Sequence, residues 1–375
     1  MTSSIRLGRI FGIPLNINYS WLIIFGLVIL LMSSRFADLY PRWPVAAHWI
    51  VAAVTTALFF LSVLLHELSH SLVAVARGIQ VKGITLFIFG GVSELAHEAH
   101  RPMSEFVVTI VGPATSLAIA LVCGSLWFAL DGGPTYVGAI LFTLAAINLS
   151  LGIFNMLPGF PLDGGRVLRA ALWGATGNYW LATRIAIRSG QALGGLMVAG
   201  GILWAFYGNF QGLWVSLVGG FLLFVASGNY RQEATRNFLK IIRVGDALPT
   251  QWPVVSGSLP AFSPEALMSL SRSNYLGLLV AGSDYGVVTG QDLTQVGAAA
   301  DPGLTLDRLK RPLSEFPLLD ADASALEALE LMDARESFVA VILRNGLPLG
   351  LVSRTKLLSL VTERRQRRNR LGILG

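Results

Sequence analysis

The chain has 375 residues, of which 53% are hydrophobic and only 13% are charged, and its formal net charge is +6. Soluble domains carry about 25% charged residues, so the composition excludes an ordinary soluble domain and favours a membrane protein. The one cysteine, Cys123, excludes a disulfide framework within the chain and a cysteine-rich metal site. The net positive charge does not indicate a nucleic-acid partner, because many arginines flank apolar segments, where they act as topology signals.

Charged residues are distributed unevenly along the chain. They are sparse from Asn18 to Gly228 and recur every few positions from Tyr230 to Gly375. This change predicts a membrane domain at residues 1–230, a linker at 231–244, a polar domain at 245–362 and a basic tail at 363–375. We interpret the tail as solvated chain, with attraction to anionic lipid headgroups as the alternative.

Six apolar segments approach the ~20 residues that a membrane-spanning helix needs. They are Tyr19 to Ser34, His48 to Ala76, Phe106 to Leu130, Tyr136 to Leu157, Ile185 to Tyr207 and Leu213 to Ala226. The first and last are short and depend on flanking residues to reach full length. A cytoplasmic N-terminus places most of the basic residues between the segments on the cytoplasmic side, so the positive-inside rule predicts that both termini are cytoplasmic.

Three stretches of the membrane domain are not plain helix. Val81 to Val92 is β-branched and aromatic and ends in a Gly-Gly turn, which predicts a membrane-associated strand or hairpin. Val111 to Ser116, VGPATS, combines glycine, proline and small residues that permit close helix contact. Asn155 to Arg166, NMLPGFPLDGGR, contains prolines and glycines that we expect to break the fourth span near its end.

The most informative motif is HELSH, from His66 to His70, inside the second apolar segment. On a helix the two histidines lie one turn apart on the same face, so both imidazoles can bind one metal ion, and Glu67 can accept a proton from the attacking water. Three ionisable groups in a spanning helix are costly unless they have buried partners. A metal ion supplies those partners most simply, so the motif indicates a zinc peptidase.

Zinc hydrolases commonly use three protein ligands, and the third ligand is less obvious from the sequence. His48 lies several turns from His66 and cannot reach it. His97 and His100 have a spacing that suits a metal, but they occupy a polar segment that favours a solvated loop. Asp163 is the better candidate, since it is the sole acid in the broken segment; an aspartate that caps the following helix is the alternative.

These motifs carry a resemblance to a known family. HELSH in the second span, GPATS in the third and NMLPGFPLDGGR at the end of the fourth resemble the site-2 protease family of intramembrane metalloproteases. The pattern of that family is H-E-x-x-H followed by N-x-x-P-x-x-P-x-D-G. The opening GRIFGIPLNINYSW and the six spans are similar to the prokaryotic branch, in which C-terminal CBS domains are common.

The resemblance implies an integral multi-pass protein of a prokaryotic cell membrane that cleaves the transmembrane segments of membrane-tethered proteins. It implies one zinc ion bound by His66, His70 and Asp163, with Glu67 as general base. Two further roles are implied, a contact of Asn155 with the tetrahedral intermediate and a substrate-binding strand around Phe89, Gly90 and Gly91. For Asn155, helix breaking or a structural hydrogen bond is the alternative.

A substrate helix must unwind before its amides can be attacked. We expect an extended substrate segment to pair with the edge of the strand at Ile84 to Phe89 by β-addition.

The polar domain contains the order strand, turn, strand, helix start twice, roughly sixty residues apart. The repeat resembles a tandem of CBS domains, small βαββα units that often bind adenine nucleotides through G-h-h-[ST]-x-x-[DN]. The first copy has this motif, with Thr289 and Asp292, whereas the second has Lys356 in place of the acid. The resemblance therefore implies a nucleotide at the first half-site; a structural or dimerising tandem, with Asp292 as a helix cap, is the alternative.

The predicted fold is thus a multi-pass α-helical membrane domain of about six spans with a membrane-associated β-hairpin, followed by an α+β tandem CBS domain that can form a homodimer. A CBS-regulated transporter or channel is the main functional alternative, with the histidines and Asp163 lining an ion path. A catalytically inactive protein that binds membrane segments is less favoured, because both histidines and the general base are present.

Overall fold

The structure, a computed structural model, describes residues 4–87, 90–95, 99, 101–248, 252–273, 276–296 and 303–360. Phe89, His97, His100 and the basic tail lie outside the described residues. The chain divides into two compact units, Met1–Tyr230 and Arg231–Gly375.

Seven helices begin in the first unit and make up most of it. They are α1 Tyr19–Leu39, α2 Val45–Ala76, α3 Pro102–Ala129, α4 Tyr136–Asn155, α5 Asp163–Thr176, α6 Tyr179–Phe206 and α7 Gln211–Ile241. All except α5 are long and apolar enough to cross a membrane, which confirms the six predicted spans. The first and last are longer than their apolar segments, as expected, and α4 ends at Asn155, where the proline- and glycine-rich segment begins.

A four-stranded sheet accompanies these helices. Its strands are β1 Ser4–Ile10, β2 Ile13–Asn18, β3 Val81–Phe87 and β4 Gly90–Leu95, in the order β1-β2-β3-β4. The predicted hairpin is therefore confirmed as β3 and β4. The two N-terminal strands were not predicted, and β2 pairs in parallel with β3.

One face of this sheet packs on α2. Ile13, Leu15, Ile84 and Leu86 are buried against Leu68, which lies within the HELSH motif. Because side chains alternate across a strand, the odd-numbered apolar residues of β2 all point to α2. This packing fixes the sheet beside the histidines.

The expectation that substrate pairs with the edge of the strand at Ile84 to Phe89 is wrong. β3 ends at Phe87 and is hydrogen-bonded on both sides, to β2 through Leu15 and Ile84 and to β4 through Ile84 and Ser93. An interior strand has no unpaired backbone groups to offer a further strand. The strand at the edge of the described sheet on this side is β4.

The second unit contains two copies of one β-α-β-β-α motif, which confirms the predicted repeat. The first copy comprises β5 Val254–Ser256, α8 Pro264–Arg272, β6 Gly277–Ala281, β7 Tyr285–Thr289 and α9 Gly290–Val296. After α10 Leu306–Leu309 and β8 Arg311–Pro312, the second copy comprises β9 Leu318–Asp320, α11 Ala325–Ala334, β10 Val339–Arg344, β11 Leu347–Ser353 and the helical residues 354–360. In both copies the first strand is parallel to the second, and the second is antiparallel to the third.

Each copy has its own apolar core beneath its helices. A third cluster joins the two sheets through Leu279, Val287, Phe316, Val341 and Leu351. The two copies therefore form one body, as a tandem requires.

Candidate metal centre

The candidate metal centre begins with two histidines on one face of α2. His66 and His70 are both buried, and they lie one helical turn apart. Ten residues separate His66 from the end of α2 at Ala76, which corresponds to about 15 Å along the helix axis. The pair therefore lies well inside a segment long enough to span a bilayer. His48, on the same helix, lies far from the pair and contacts the carbonyl oxygen of Tyr40.

Asp163 meets both histidines although it lies 97 residues from His66 in the chain. Its Oδ2 atom is 3.2 Å from Nε2 of His66 and 3.4 Å from Nε2 of His70, and the two Nε2 atoms are 3.3 Å apart. Within the described part of the chain, these three residues form a group whose ligand atoms could hold a metal ion. The structure thus brings together the three residues that the sequence analysis named as candidate ligands.

Residues of α3 orient both imidazole rings. Nδ1 of His70 is 2.7 Å from the carbonyl oxygen of Val108, and a carbonyl can only accept, so the proton of the neutral ring resides on Nδ1. Nδ1 of His66 is 2.9 Å from Oγ of Ser116, which is fully buried. Contacts of this kind are typical of metal-binding histidines, because they fix the ring with the other nitrogen free to bind the ion.

A zinc ion fits this donor set. With Zn–N distances of 2.0–2.1 Å, tetrahedral coordination separates neighbouring ligand atoms by about 3.3–3.4 Å, and the three observed separations are 3.2, 3.3 and 3.4 Å. Three lone-pair-bearing atoms this close together in a buried site repel one another unless a cation or a proton lies between them. The geometry and the chemistry of the donors therefore both suit a divalent ion with one open position.

The space beside the histidines depends on Gly112 of α3. A Cβ atom at this position would lie 2.7 Å from Nε2 of His66 and would overlap Nε2 of His70. It would therefore occupy nearly the same volume as an ion bound to both nitrogens. The motif GPATS supplies both this space and the hydroxyl of Ser116, which sequence reasoning had interpreted only as close helix packing.

The segment before α5, residues 156–162, places Asp163 beside the histidines. Asp163 is the first residue of α5, and no side-chain cap is made at this helix start, so the alternative role of Asp163 as a helix cap is wrong. Gly164 and Gly165 lie directly against the backbone of residues 156–160 and leave no room for a Cβ. The backbone of Phe160 donates to the carbonyl of Ala186 in α6 at 3.1 Å. The loop is thereby folded tightly over the N-terminus of α5 and held to α6.

A buried ion pair, which the sequence analysis missed, ties α5 to α3. Nε of Arg169 donates to Oε1 of Glu105 at 2.7 Å, and each side chain is about 95% buried. The guanidinium also lies 5.0 Å from the ring centroids of Phe160 and Tyr179. α3, which orients the histidines, is thus braced directly against α5, which carries Asp163.

Glu67 lies beside the two histidines on α2 and faces β4. Its Oε2 atom accepts from Oγ of Ser93 at 2.9 Å. A Cβ at Gly91 would lie 2.5 Å from Cγ of Glu67, so the predicted substrate residue Gly91 is the point at which the edge strand approaches Glu67. Gly90 has a φ of 125°, a backbone conformation that favours glycine, at the start of the same strand.

Asn155 is the last residue of α4 and is half-buried. One turn earlier, Gly152 packs against the carbonyl oxygen of Pro113, the residue next to Gly112. Since residues three apart share a helix face, Asn155 lies on the face of α4 that points to α3. This position is compatible with the predicted contact to the reacting group.

The predicted nucleotide residues of the second unit are occupied with each other. Oδ2 of Asp292 accepts from the backbone N–H and from the hydroxyl of Thr289, each at 2.7 Å, and Oγ1 of Thr289 accepts from the N–H of Asp292 at 3.3 Å. This is a capping box at the start of α9, the alternative that the sequence analysis left open. Thr289 also lines a cavity of about 930 Å³ together with Phe262, Arg311 and Arg335.

Comparison with known proteins identifies the family. Residues 54–136 and 132–194 match the model of peptidase family M50. A Synechocystis protein provisionally named as the zinc metalloprotease sll0528 is 34% identical over 96% of this chain and 95% of its own length. Rip3 of Mycobacterium tuberculosis, named in the same provisional way, is 32% identical over 84% of this chain and 82% of its own length.

Two solved structures are also similar. The site-2 protease of Methanocaldococcus jannaschii shares 33% identity and covers 60% of this chain and 94% of its own, with a TM-score of 0.44. The CBS domain of a membrane protein from Sphaerobacter thermophilus shares 16% identity and covers 36% of this chain and 96% of its own, with a TM-score of 0.29. On the sequence relationships, this chain belongs to the site-2 protease family, peptidase family M50, and is a zinc metallopeptidase with several membrane-spanning helices.

Proposed function

We propose that this member of the site-2 protease family is an intramembrane endopeptidase that cleaves transmembrane segments of membrane-tethered proteins, with one zinc ion held by His66, His70 and Asp163. One observation carries this proposal: Nε2 of each histidine and Oδ2 of Asp163 lie 3.2–3.4 Å apart in a buried site. The family assignment favours this enzyme over the transporter alternative.

The proposed chemistry is metal-assisted hydrolysis of a peptide bond. When bound, zinc lowers the pKa of a water molecule to about 7 and polarises the scissile carbonyl. Glu67 takes the proton of the attacking water and delivers it to the leaving amine. The side-chain amide of Asn155 donates to the negative charge that develops on the carbonyl oxygen.

We assign substrate docking to β4 in place of β3. Among the described residues β4 is the edge strand of this sheet, so its outer edge can offer backbone N–H and C=O groups to an extended substrate by β-addition. Gly91 brings this strand against Glu67, so a peptide paired with β4 runs close to the general base. Cleavage should therefore rise when the target segment is made easier to unwind, for example by a central Gly-Pro pair.

The central experiment compares the wild-type chain with Glu67→Gln. We expect purified wild-type protein to contain about one zinc ion per chain and the variant to retain it while losing proteolysis. Comparison of the membrane proteome of cells that carry each form identifies the substrates as proteins shortened only by the wild type. Zinc-free wild-type protein, or full activity in the variant, would refute the proposal.

The second unit is proposed to modulate the protease through an adenine nucleotide in the 930 Å³ cavity. Thr289 and Arg311 line this cavity, and Oδ1 of Asp292 lies 3.9 Å from a guanidinium nitrogen of Arg311. Titration of the full chain with ATP and AMP, read out by calorimetry and by cleavage rate, tests the proposal. Absence of binding at millimolar nucleotide would contradict it. A prokaryotic cell membrane, cytoplasmic termini and a homodimer through the tandem stay predictions.

A further inference from the structure

We infer that Ser93 of β4 is a positioning residue that holds the carboxylate of Glu67 and couples it to the edge strand on which substrate docks. The inference rests on the proposed function, and it concerns a residue to which neither the motifs nor the family resemblance gave a role. A hydrogen bond from the hydroxyl of Ser93 to the carboxylate of Glu67 joins the sheet to the general base.

The hydroxyls of two serines and the carboxylate of Glu67 form a short hydrogen-bonded chain. Ser71, which is fully buried one turn after Glu67 on α2, donates to Oγ of Ser93 at 3.1 Å. Oγ of Ser93 in turn lies 2.9 Å from Oε2 of Glu67 and 3.2 Å from its backbone carbonyl. A hydroxyl has one proton to donate, and an ionised carboxylate is the stronger acceptor, so this proton goes to Oε2.

This chain determines which carboxylate oxygen is available for catalysis. With Oε2 engaged by Ser93, Oε1 is the oxygen left to accept the proton of the attacking water. A general base must lie within hydrogen-bond reach of the proton that it removes, and a freely rotating glutamate side chain samples several rotamers. Ser93 restricts this rotation from the sheet side while α2 supplies the backbone.

Gly91 and Ser93 lie two residues apart on β4 and therefore share one face. Gly91 has no side chain, so its backbone lies close to Cγ of Glu67. The hydroxyl of Ser93 donates to the carboxylate of Glu67. The backbone edge of the same strand is the surface proposed for β-addition. A substrate that pairs with β4 thus orders the strand that also orients the base, and docking and proton transfer become linked.

The test measures the kinetics of Ser93→Ala in the full chain, purified in detergent and then placed in lipid bicelles. The probe is a fluorescence-quenched apolar peptide long enough to span a bilayer, with a central Gly-Pro pair. A general base contributes about 10²–10⁴-fold to the rate, and loss of its orientation should forfeit part of this. We expect kcat to fall about 10-fold or more, with KM within about twofold and zinc content unchanged.

Three further variants make the test specific. Ser93→Thr retains a hydroxyl and should lie closer to the wild type than Ser93→Ala. Ser71→Ala removes the donor behind Ser93 and should lower kcat in the same direction by a smaller factor. Ser150→Ala, a matched change at an exposed serine that donates to the carbonyl of Ala146 one turn back in α4, should leave the kinetics unchanged.

Each alternative outcome overturns the inference. An unchanged kcat in Ser93→Ala means that the hydroxyl does not position the base, and an increase confined to KM assigns Ser93 to substrate binding instead. Loss of zinc together with activity assigns it a structural role, and equal defects in Ser93→Thr and Ser93→Ala exclude the hydroxyl. A wild-type chain that lacks zinc and activity refutes the proposed function itself, so the two failures are distinguishable.

Discussion

The two units of this chain use buried polar residues in opposite ways. In the membrane unit, His66, His70, Ser116, Glu105 and Arg169 are buried, and each is bonded to a group on another helix. In the second unit the cores are apolar, and the polar pair predicted to bind a ligand caps its own helix.

In the membrane unit the buried polar groups serve the candidate metal centre, whereas in the second unit the polar pair stabilises the start of one helix. Burying polar groups away from water is costly unless they are paired, and the paired groups of the membrane unit hold the residues of the candidate metal centre in place. A capping box, by contrast, stabilises a helix start whether or not a ligand binds. Substitutions in the membrane unit should therefore affect metal binding and activity strongly, whereas substitutions in the second unit should shift stability by small amounts.

The largest effect is expected for Gly112→Ala. Its new methyl group would occupy the space between the two Nε2 atoms, so the zinc content of the purified chain should fall to near zero and proteolysis with it. Gly124→Ala is the matched control on the same helix, because its Cβ would make an ordinary contact with Ala145 at 3.8 Å. Full zinc occupancy in Gly112→Ala would contradict the assignment of this space to the ion.

The next largest effect is expected at the buried ion pair of Glu105 and Arg169, which joins α3 to α5. Glu105→Leu leaves Arg169 buried without its carboxylate, which typically destabilises by about 3–5 kcal/mol, and zinc affinity should fall because Asp163 loses its support. The double variant Glu105→Leu/Arg169→Leu should recover much of this stability. Denaturant unfolding and a zinc-chelator competition measure the two effects.

The second unit supplies the comparison for this ion pair. Arg243 and Asp322 form a pair with side chains that are 65% and 76% exposed, and such pairs contribute about 0–1 kcal/mol. Asp322→Asn should therefore change the free energy of unfolding by no more than this amount and leave zinc affinity unaltered. If Glu105→Leu and Asp322→Asn lower the free energy of unfolding by equal amounts, burial of an ion pair does not distinguish the two units.

The residues of the candidate metal centre were easier to identify from the sequence than the residues that hold them in place. His66, His70 and Asp163 are ionisable groups within or beside apolar segments, and their cost in a membrane makes them conspicuous. Ser93 and Ser116 are single small polar residues with no spacing that sets them apart. Their roles emerge only when α3 and β4 are packed against α2.

In the fold, too, local features were predictable from the sequence and long-range ones were not. The apolar runs predicted the spans, and the repeated strand–turn–strand order predicted the tandem, because both signals are local. The edge position of β4 was not predictable in this way, since it depends on β2 pairing with β3 across some sixty residues of chain. The alternation of Ile13, Leu15 and Ile17 was a period-2 signal that could have revealed β2, the strand that makes β3 interior.

A smaller effect is expected from Asp292→Ala in the second unit. Loss of the capping box at α9 should cost about 1 kcal/mol, measured by denaturant unfolding of the full chain without nucleotide. Gln295→Ala, an exposed position on the same helix, is the control. A loss of nucleotide binding with no loss of stability would instead make Asp292 a ligand contact and weaken the contrast between the units.

The smallest effect is expected from the surface pair of Asp284 and Lys310, whose side chains are 66% and 12% exposed. Their hydrogen bond, with Nζ 2.6 Å from Oδ1, lowers the pKa of Asp284 and, together with Asp307, raises the pKa of Lys310.

Because the carboxyl pKa is lowered on folding, its contribution is complete above the unfolded value of about 3.9 and is lost as the pH falls through the folded value. The contribution of Lys310 is complete below its ordinary pKa and is lost only in strong base. The difference in unfolding midpoint between the wild type and Asp284→Asn should therefore be slight at neutral pH, shrink with added salt and disappear in acid. A difference that persists in acid would mean that Asp284 acts by packing and not by charge, in which case the second unit, too, would depend on a polar residue for its structure.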